Sequence, residues 1–447
     1  MHQSGHHLRA ILRRGDFRRL LAIRVSSQFA DGVFQAGLAG SVLFNPERHT
    51  DPVDVAVGFA ILLLPYSLVG PFVGVLLDRW SRRNVLVAAN LLRAVMIPVV
   101  AAMMWAGYSG PVFLALTLIV IGINRFVLAG LSASLPHAAE VDHLATANAF
   151  SSTTGTLFFS VGIGAAVGLE TLFGAGDHGY ALVSVISVFG YLGSSALAAR
   201  FAPGDLGPDD ADRAARPSFL AVARGMVEGF GHVYRRPPAR NALLAITAHR
   251  LFFGAFTIST FLLYRNYFHA EGFFRSGVVG IGQVFAASAL GSFLAATVTP
   301  VAIRRTSPRA WVTSLLLLTA GAYLLLGGLY RMQGLLPAAL IGGLAAQGIK
   351  IVVDTTVQYE CDDEFQGRVF SVYDTLFNMS FVLGLLVAAE TLPSSGRSYV
   401  VLVLIALGWA AVGTWYGWAS SRTPGHLAEA IHEPHLAVPA VPSVVRR

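Results

Sequence analysis

Apolar residues run along this chain in long blocks, broken by short polar segments rich in arginine. An α-helix rises 1.5 Å per residue, so about 20 apolar residues cross the ~30 Å hydrocarbon core of a bilayer. Three such windows, 55–77, 277–303 and 399–419, hold no charge at all. Nine more hold one or a few polar groups: 17–44, 84–104, 111–135, 145–173, 179–199, 241–267, 310–330, 334–357 and 370–391. The pattern predicts an all-α membrane protein with twelve transmembrane helices. The longest polar stretch, 200–240, contains Pro203, Pro208 and Pro217 and leaves six windows on either side. The expected organisation is a tail 1–16, a six-helix bundle 17–199, a connector 200–240, a second six-helix bundle 241–419 and a proline-bearing disordered tail 420–447. In the connector, Phe219, Val222, Met226, Phe230 and Val233 recur every three or four residues. This predicts an amphipathic helix on the membrane surface or against the bundle, with Arg224, Glu228 and His232 on another face.

Composition agrees. Of 447 residues, 54% are hydrophobic and 13% charged, against roughly 25% charged in an ordinary soluble domain. The net charge of +7 reports topology rather than nucleic-acid binding, because the basic residues fall between apolar runs. An even number of spans puts both termini on one side. That side would hold 22 arginines at span ends or in loops, against five on the other (Arg48, Arg265, Arg275, Arg331 and Arg397). The positive-inside rule then makes the termini and the connector cytoplasmic in a multi-pass protein of the cell membrane. The first window is too long for a cleavable signal and carries Arg24 and Asp31. The single cysteine, Cys361, excludes an internal disulfide and a multi-cysteine metal site. No Gly-Lys-Ser/Thr phosphate loop occurs, so ATP is not the expected energy source. His2, His6 and His7 lie in a polar tail and are not expected to hold a functional metal. Neither enzyme chemistry nor a cofactor is expected.

Two halves of six predict an internal repeat of the kind secondary transporters use. The loop after the fourth window leads from Leu135-Pro136 through Glu140 and Asp142 to Ala147-Asn148-Ala149. The loop after the tenth leads from Glu360 through Asp362, Asp363 and Glu364 to Gly367-Arg368-Val369. Both are acidic and open a helix. At the exit of the second window stands Gly74-Val75-Leu76-Leu77-Asp78-Arg79-Trp80-Ser81-Arg82-Arg83. This segment resembles the Gly-x-x-x-Asp-Arg-x-Gly-Arg-Arg signature of the major facilitator superfamily, with Ser81 in place of a glycine. In that reading Gly74 admits a close helix neighbour, Asp78 accepts hydrogen bonds from a helix N-terminus, and Arg79, Arg82 and Arg83 pair with loop carboxylates as a cytoplasmic gate. Ser27-Gln28-Phe29-Ala30-Asp31-Gly32 is similar to the Ser-x-x-Gly-Asp motif of the branch containing macrolide-efflux and enterobactin-exporter proteins. The resemblance implies the major facilitator fold and an exporter of drug, macrolide or siderophore type, energised by proton exchange.

Charges inside spans cost ~2.5 kcal/mol or more and mark function by default. Asp31 is the leading candidate for proton coupling, with Gln28 and Gln35 on its face of the helix; the competing reading pairs it statically with Arg24 or another bundle arginine. Arg125 and Asp374 join the candidate site, while Lys350 and Asp354, four residues apart, form an expected charge pair. The His249–Arg250 pair is a further candidate, whereas Glu170 and Glu390 lie near external ends. Gly155, Gly162, Gly164 and Gly168 give the fifth window a small-residue packing face. Phe29, Phe34, Phe252, Phe253, Phe256 and Phe377 are the expected aromatic lining of a substrate cavity. The expected partners are a small amphipathic substrate, protons and the lipid bilayer, with no nucleic acid, for a protein acting as a monomer. The alternative is an importer or facilitative carrier on the same fold.

Overall fold

The computed structural model describes residues 11–44, 52–53, 55–60, 80–108, 110–139, 144–174, 176–202, 204–207 and 219–423. Gly74, Asp78 and Arg79, the uncharged window 55–77 beyond residue 60, the three tail histidines and the tail from residue 424 lie outside the described residues. The described fold is built of helices. They are α1 (Gly15–Ala39), α2 (Arg82–Trp105), α3 (Pro111–Ala138), α4 (Leu144–Phe173), α5 (Asp177–Ala199), α6 (Phe219–Tyr234), α7 (Pro237–Leu262), α8 (Gly277–Arg305), α9 (Pro308–Leu325), α10 (Met332–Glu360), α11 (Asp363–Thr391) and α12 (Tyr399–Arg422). Ten of them, α2–α5 and α7–α12, contain segments long and apolar enough to cross a membrane, and each coincides with one of the apolar windows. Prolines open α3, α7 and α9, where the missing amide hydrogen costs nothing. Ser307 and Ser398 cap α9 and α12, their hydroxyls accepting from the amides of Ala310 and Val401.

The chain divides into two compact units, one taking in α1–α5 and the other α7–α12, with the boundary inside α6 after Ala223. In the first, α1 packs on α4 and α5, and α2 on α3 and α5. In the second, α7 packs on α10, α11 and α12, α8 on α10, and α9 on α10 and α12. The corresponding crossings are built alike. A methyl group added at Gly32 would overlap the Phe159 carbonyl, and one at Gly162 the Phe29 carbonyl, so α1 and α4 meet backbone to backbone. Gly254 and Gly384 stand in the same relation to the carbonyls of Phe381 and Leu251 across α7 and α11, each 222 residues beyond its counterpart. Both α1 and α7 run on into a π-type turn, Gly40–Phe44 and Leu263–Tyr267. These matched crossings give the internal repeat a structural basis, since only small residues let two helices approach so closely. The small-residue face of α4 is used at Gly155, which meets Arg24, and at Gly162; Gly164 and Gly168 face open space. Leu157, Leu172, Phe285 and Phe293 project from α4 and α8 with more than half their surface bare. Such apolar surface suits a lipid surround.

Candidate functional site

The one ion pair buried on both sides among the described residues lies in the first unit and is built from four helices. Asp31 on α1 is 3% exposed, and Arg93, half-way along α2, is fully buried. Arg93 Nη1 donates to Asp31 Oδ1 at 2.7 Å and lies 3.4 Å from Asn124 Oδ1 on α3. Its Nη2 donates to Ser27 Oγ at 2.9 Å and to Asn90 Oδ1. The Tyr191 hydroxyl on α5 donates to the same Asp31 oxygen at 2.7 Å, and Gln28 Nε2 donates to Oδ2 at 2.9 Å. The Tyr191 ring also lies against the guanidinium, its centroid 4.2 Å from Arg93 Cζ. Local packing sets this up: Gly190 faces Ala30, so α1 and α5 touch one residue from both Tyr191 and Asp31. A charge in so dry a place requires a counter-charge and hydrogen bonds on its remaining lone pairs, and Asp31 has both.

Arg93 is not among the sequence candidates. Arg24, expected as a partner of Asp31, instead donates through Nη1 to Ser151 and Ser152 on α4, at 2.9 and 3.3 Å. Gln35 is half-buried and makes none of the hydrogen bonds of Asp31. Asn124, next to Arg125 on α3, reaches the Arg93 cluster. Arg82 donates to the Ala133 carbonyl at 3.0 Å and Arg83 to those of Phe201 and Ala199 at 3.2 and 3.0 Å. Both thus bind carbonyls at the C-terminal ends of α3 and α5, where cations are favoured. Glu140 and Asp142, the carboxylates of the acidic loop after the fourth window, lie outside the described residues.

The second unit holds a different arrangement. Lys350 donates to Asp354 Oδ2 at 2.6 Å within one turn of α10, and its Nζ lies 5.2 and 5.8 Å from the Tyr373 and Phe377 ring centroids. Arg250 on α7 is surrounded by rings: its Cζ lies 4.1 Å from the Phe377 centroid, 4.4 Å from that of Phe381 and 5.6 Å from that of Phe253. Cation–π contacts contribute roughly 0.5–2 kcal/mol each, comparable to the ~2.5 kcal/mol or more that an arginine in a span costs. They leave the hydrogen-bonding fork of Arg250 unused, and no carboxylate is among its described contacts. Asp374, on α11, is exposed. His249 is buried between Phe253 and Trp409. Of the six expected cavity phenylalanines, Phe34 and Phe256 are buried in the cores of their units, Phe29 is partly buried against Val33, Ala166 and Val183, and Phe252 packs on Gly408 of α12; Phe253 and Phe377 are the two that meet a cation.

The apolar stripe of the connector helix is largely turned inward: Val233 is buried and Val222 and Met226 are half-buried, while Phe230 is half exposed. The polar face makes contacts of its own: Glu228 accepts from Arg368 at 2.8 Å, His232 stacks on Phe365 at 4.4 Å, and Gly229 meets the Arg368 backbone. Arg236, next to α6, donates to both Asp362 oxygens at 2.7 Å and to the Glu360 carbonyl. Between these two acceptors Cys361 is 5% exposed, and burial pushes its thiol up to about 11. At pH 7 about one thiol in ten thousand is then ionised. Maleimide should label the native protein at pH 7 far more slowly than the unfolded chain, and the native rate should climb as the pH rises toward 11. Equal rates for native and unfolded protein at pH 7 would contradict this packing.

Comparison with known proteins follows the same lines. Residues 25–385 match the sequence profile of the Major Facilitator Superfamily. Two uncharacterized MFS-type transporters, from Mycobacterium bovis and Mycobacterium tuberculosis, are each 38% identical over 392 residues, 87% of this chain and 87% of their own. Among solved structures, the nucleoside transporter NupG superposes with a TM-score of 0.60 at 14% identity, over 93% of this chain and 99% of its own. An auto-inhibited POT family peptide transporter superposes with 0.63 at 13% identity, over 91% and 97%. At those identities the structural likeness speaks for the fold alone, but profile and relatives together span most of the chain. A helical protein with ten segments long and apolar enough to cross a membrane among its described residues, matched crossings in two units and this likeness is a membrane transporter: the chain belongs to the major facilitator superfamily.

Proposed function

We propose that this protein is a proton-coupled secondary exporter of small amphipathic compounds, working by alternating access in the cell membrane. In this reading α1 and the window 55–77 complete twelve spans, and the arginine bias of 22 to five sets both termini in the cytoplasm. The observation that carries the reading is Asp31, 3% exposed inside a helix bundle yet tied to groups from other helices. Arginine stays protonated at any cellular pH, so a proton entering this site resides on Asp31 and not on Arg93. Protonation cancels the attraction to Arg93 and turns one carboxylate oxygen into a donor. A network of acceptors around Arg93 must then rearrange, and the pair acts as a two-state element that a proton biases. The similarity of Ser27–Gly32 to the exporter branch supports outward transport.

The test is transport into inverted membrane vesicles under an imposed pH gradient, over a panel of dyes, antibiotics and siderophores. At least one compound should accumulate in vesicles carrying the protein, and collapsing the gradient should abolish the difference. Asp31→Asn keeps an acceptor for Arg93 and Tyr191 but removes the titrating group, so gradient-driven accumulation should fall at least tenfold while the protein still reaches the membrane. Undiminished transport by Asp31→Asn removes Asp31 from coupling. Accumulation in right-side-out vesicles or cells instead would establish the importer reading.

A further inference from the structure

Arg250 differs from Arg93 and Arg24, two other arginines deep in the described helices, in the company it keeps. Arg93 has Asp31, and Arg24 has two serine hydroxyls, whereas Arg250 lies among the rings of Phe253, Phe377 and Phe381, with the Tyr373 hydroxyl as its polar neighbour. Its Nε makes no hydrogen bond, and the nearby Lys350 is already neutralised by Asp354. Among the described residues, Arg250, Lys350 and Asp354 together carry one positive charge, with Asp374, exposed on α11 next to Tyr373, as the further carboxylate of the neighbourhood. Arg250 stands mid-way along Pro237–Leu262. At 1.5 Å per residue it is about 20 Å from the helix start, a depth that lipid headgroups do not reach. An always-charged planar fork with unused donors matches a carboxylate or similar planar oxyanion in two parallel hydrogen bonds. The three phenyl rings around it match an aromatic or flat apolar body attached to that anion.

We propose that Arg250, with Phe253, Phe377 and Phe381, forms a binding site for organic anions, a carboxylate or comparable oxyanion on an aromatic body. This rests on the transporter reading and names the substrate class of that transporter. The missing counter-charge of Arg250 is supplied by the ligand. The rings hold the side chain in place when the site is empty.

The experiment uses the full chain in nanodiscs of zwitterionic lipid, with equilibrium dialysis of radiolabelled 2-naphthylacetate and its neutral amide. Saturable binding of the carboxylate is expected, with the amide at least tenfold weaker. Arg250→Gln should lower carboxylate affinity at least tenfold, and Arg250→Lys, which keeps the charge but loses the fork, should fall between. Thermal unfolding separates a ligand site from a structural strut: Arg250→Gln removes an unpaired cation, so its melting temperature without ligand should equal or exceed that of the native protein. The naphthylacetate-dependent rise in melting temperature should vanish. No saturable carboxylate binding, equal binding of the amide, or unchanged binding by Arg250→Gln would overturn the proposal, as would a marked loss of melting temperature in that variant without ligand. Asp31→Asn keeps the Arg250 site intact, so equilibrium binding by that variant with lost vesicle transport isolates failure at the coupling step. Binding by the native protein without any gradient-driven transport would refute the coupling reading and leave the anion site standing.

Discussion

Replacing Arg93 with alanine should lower the stability of the first bundle by about 3–5 kcal/mol, the cost of leaving a buried charge without its partner. Three features of the pair put it in that range. Asp31 and Arg93 are 3% and 0% exposed, so water cannot take over for the lost guanidinium. Arg93 also donates to Ser27 and Asn90 and approaches Asn124, so its removal strands acceptors on three helices. The face of Tyr191 loses its cation as well. Thermal unfolding in detergent, followed by tryptophan fluorescence, measures the loss. The double variant Asp31→Asn with Arg93→Gln should recover at least half of it, because neither charge is then stranded. Losses that simply add would show that the two side chains contribute independently and that the pair is not the unit.

A second large effect is expected at the helix crossings, from the smallest possible change. Gly162→Ala adds one methyl group that overlaps the Phe29 carbonyl, and Gly384→Ala one that overlaps the Leu251 carbonyl. Backbone cannot swing aside as a flexible side chain can, so the helices must part. Overpacking of this kind costs about 1–3 kcal/mol. Because the Gly162 crossing adjoins Asp31 through Gly32, Gly162→Ala should reduce transport as well as stability. The same helix supplies the control. Gly164 and Gly168 face open space, so alanine there should be neutral or stabilising by about 0.5–1 kcal/mol through helix propensity. Thermal unfolding of the four single variants settles the matter, and equal losses at Gly162 and Gly164 would contradict the packing of α1 on α4.

By itself the sequence determined what the bilayer dictates locally. The thickness of the hydrocarbon core forces each span to be one unbroken apolar run, so the windows and α2–α5 and α7–α12 coincide. The Lys350–Asp354 pair was legible because four residues are one helical turn, a distance set by backbone geometry alone. Asp31 stood out for the same kind of reason, as a costly charge within a run that excludes charges. Its partner did not. Arg93 lies 62 residues away on another helix, and the only trace of it in the sequence is that it is one of four arginines, with Arg24, Arg125 and Arg250, that no span end or loop accounts for. Tertiary packing chose among them: the contact of Ala30 with Gly190 brings Tyr191 to Asp31, Arg93 lies against the Tyr191 ring, and Gly155 lets Arg24 pass to the serines of α4. Tertiary packing also decided what the polar face of α6 meets: Glu228 pairs with Arg368 and His232 stacks on Phe365, both on α11. Local periodicity specifies which residues share a face. Which neighbour that face meets depends on contacts between helices far apart in the chain, and those exist only once the bundle has formed.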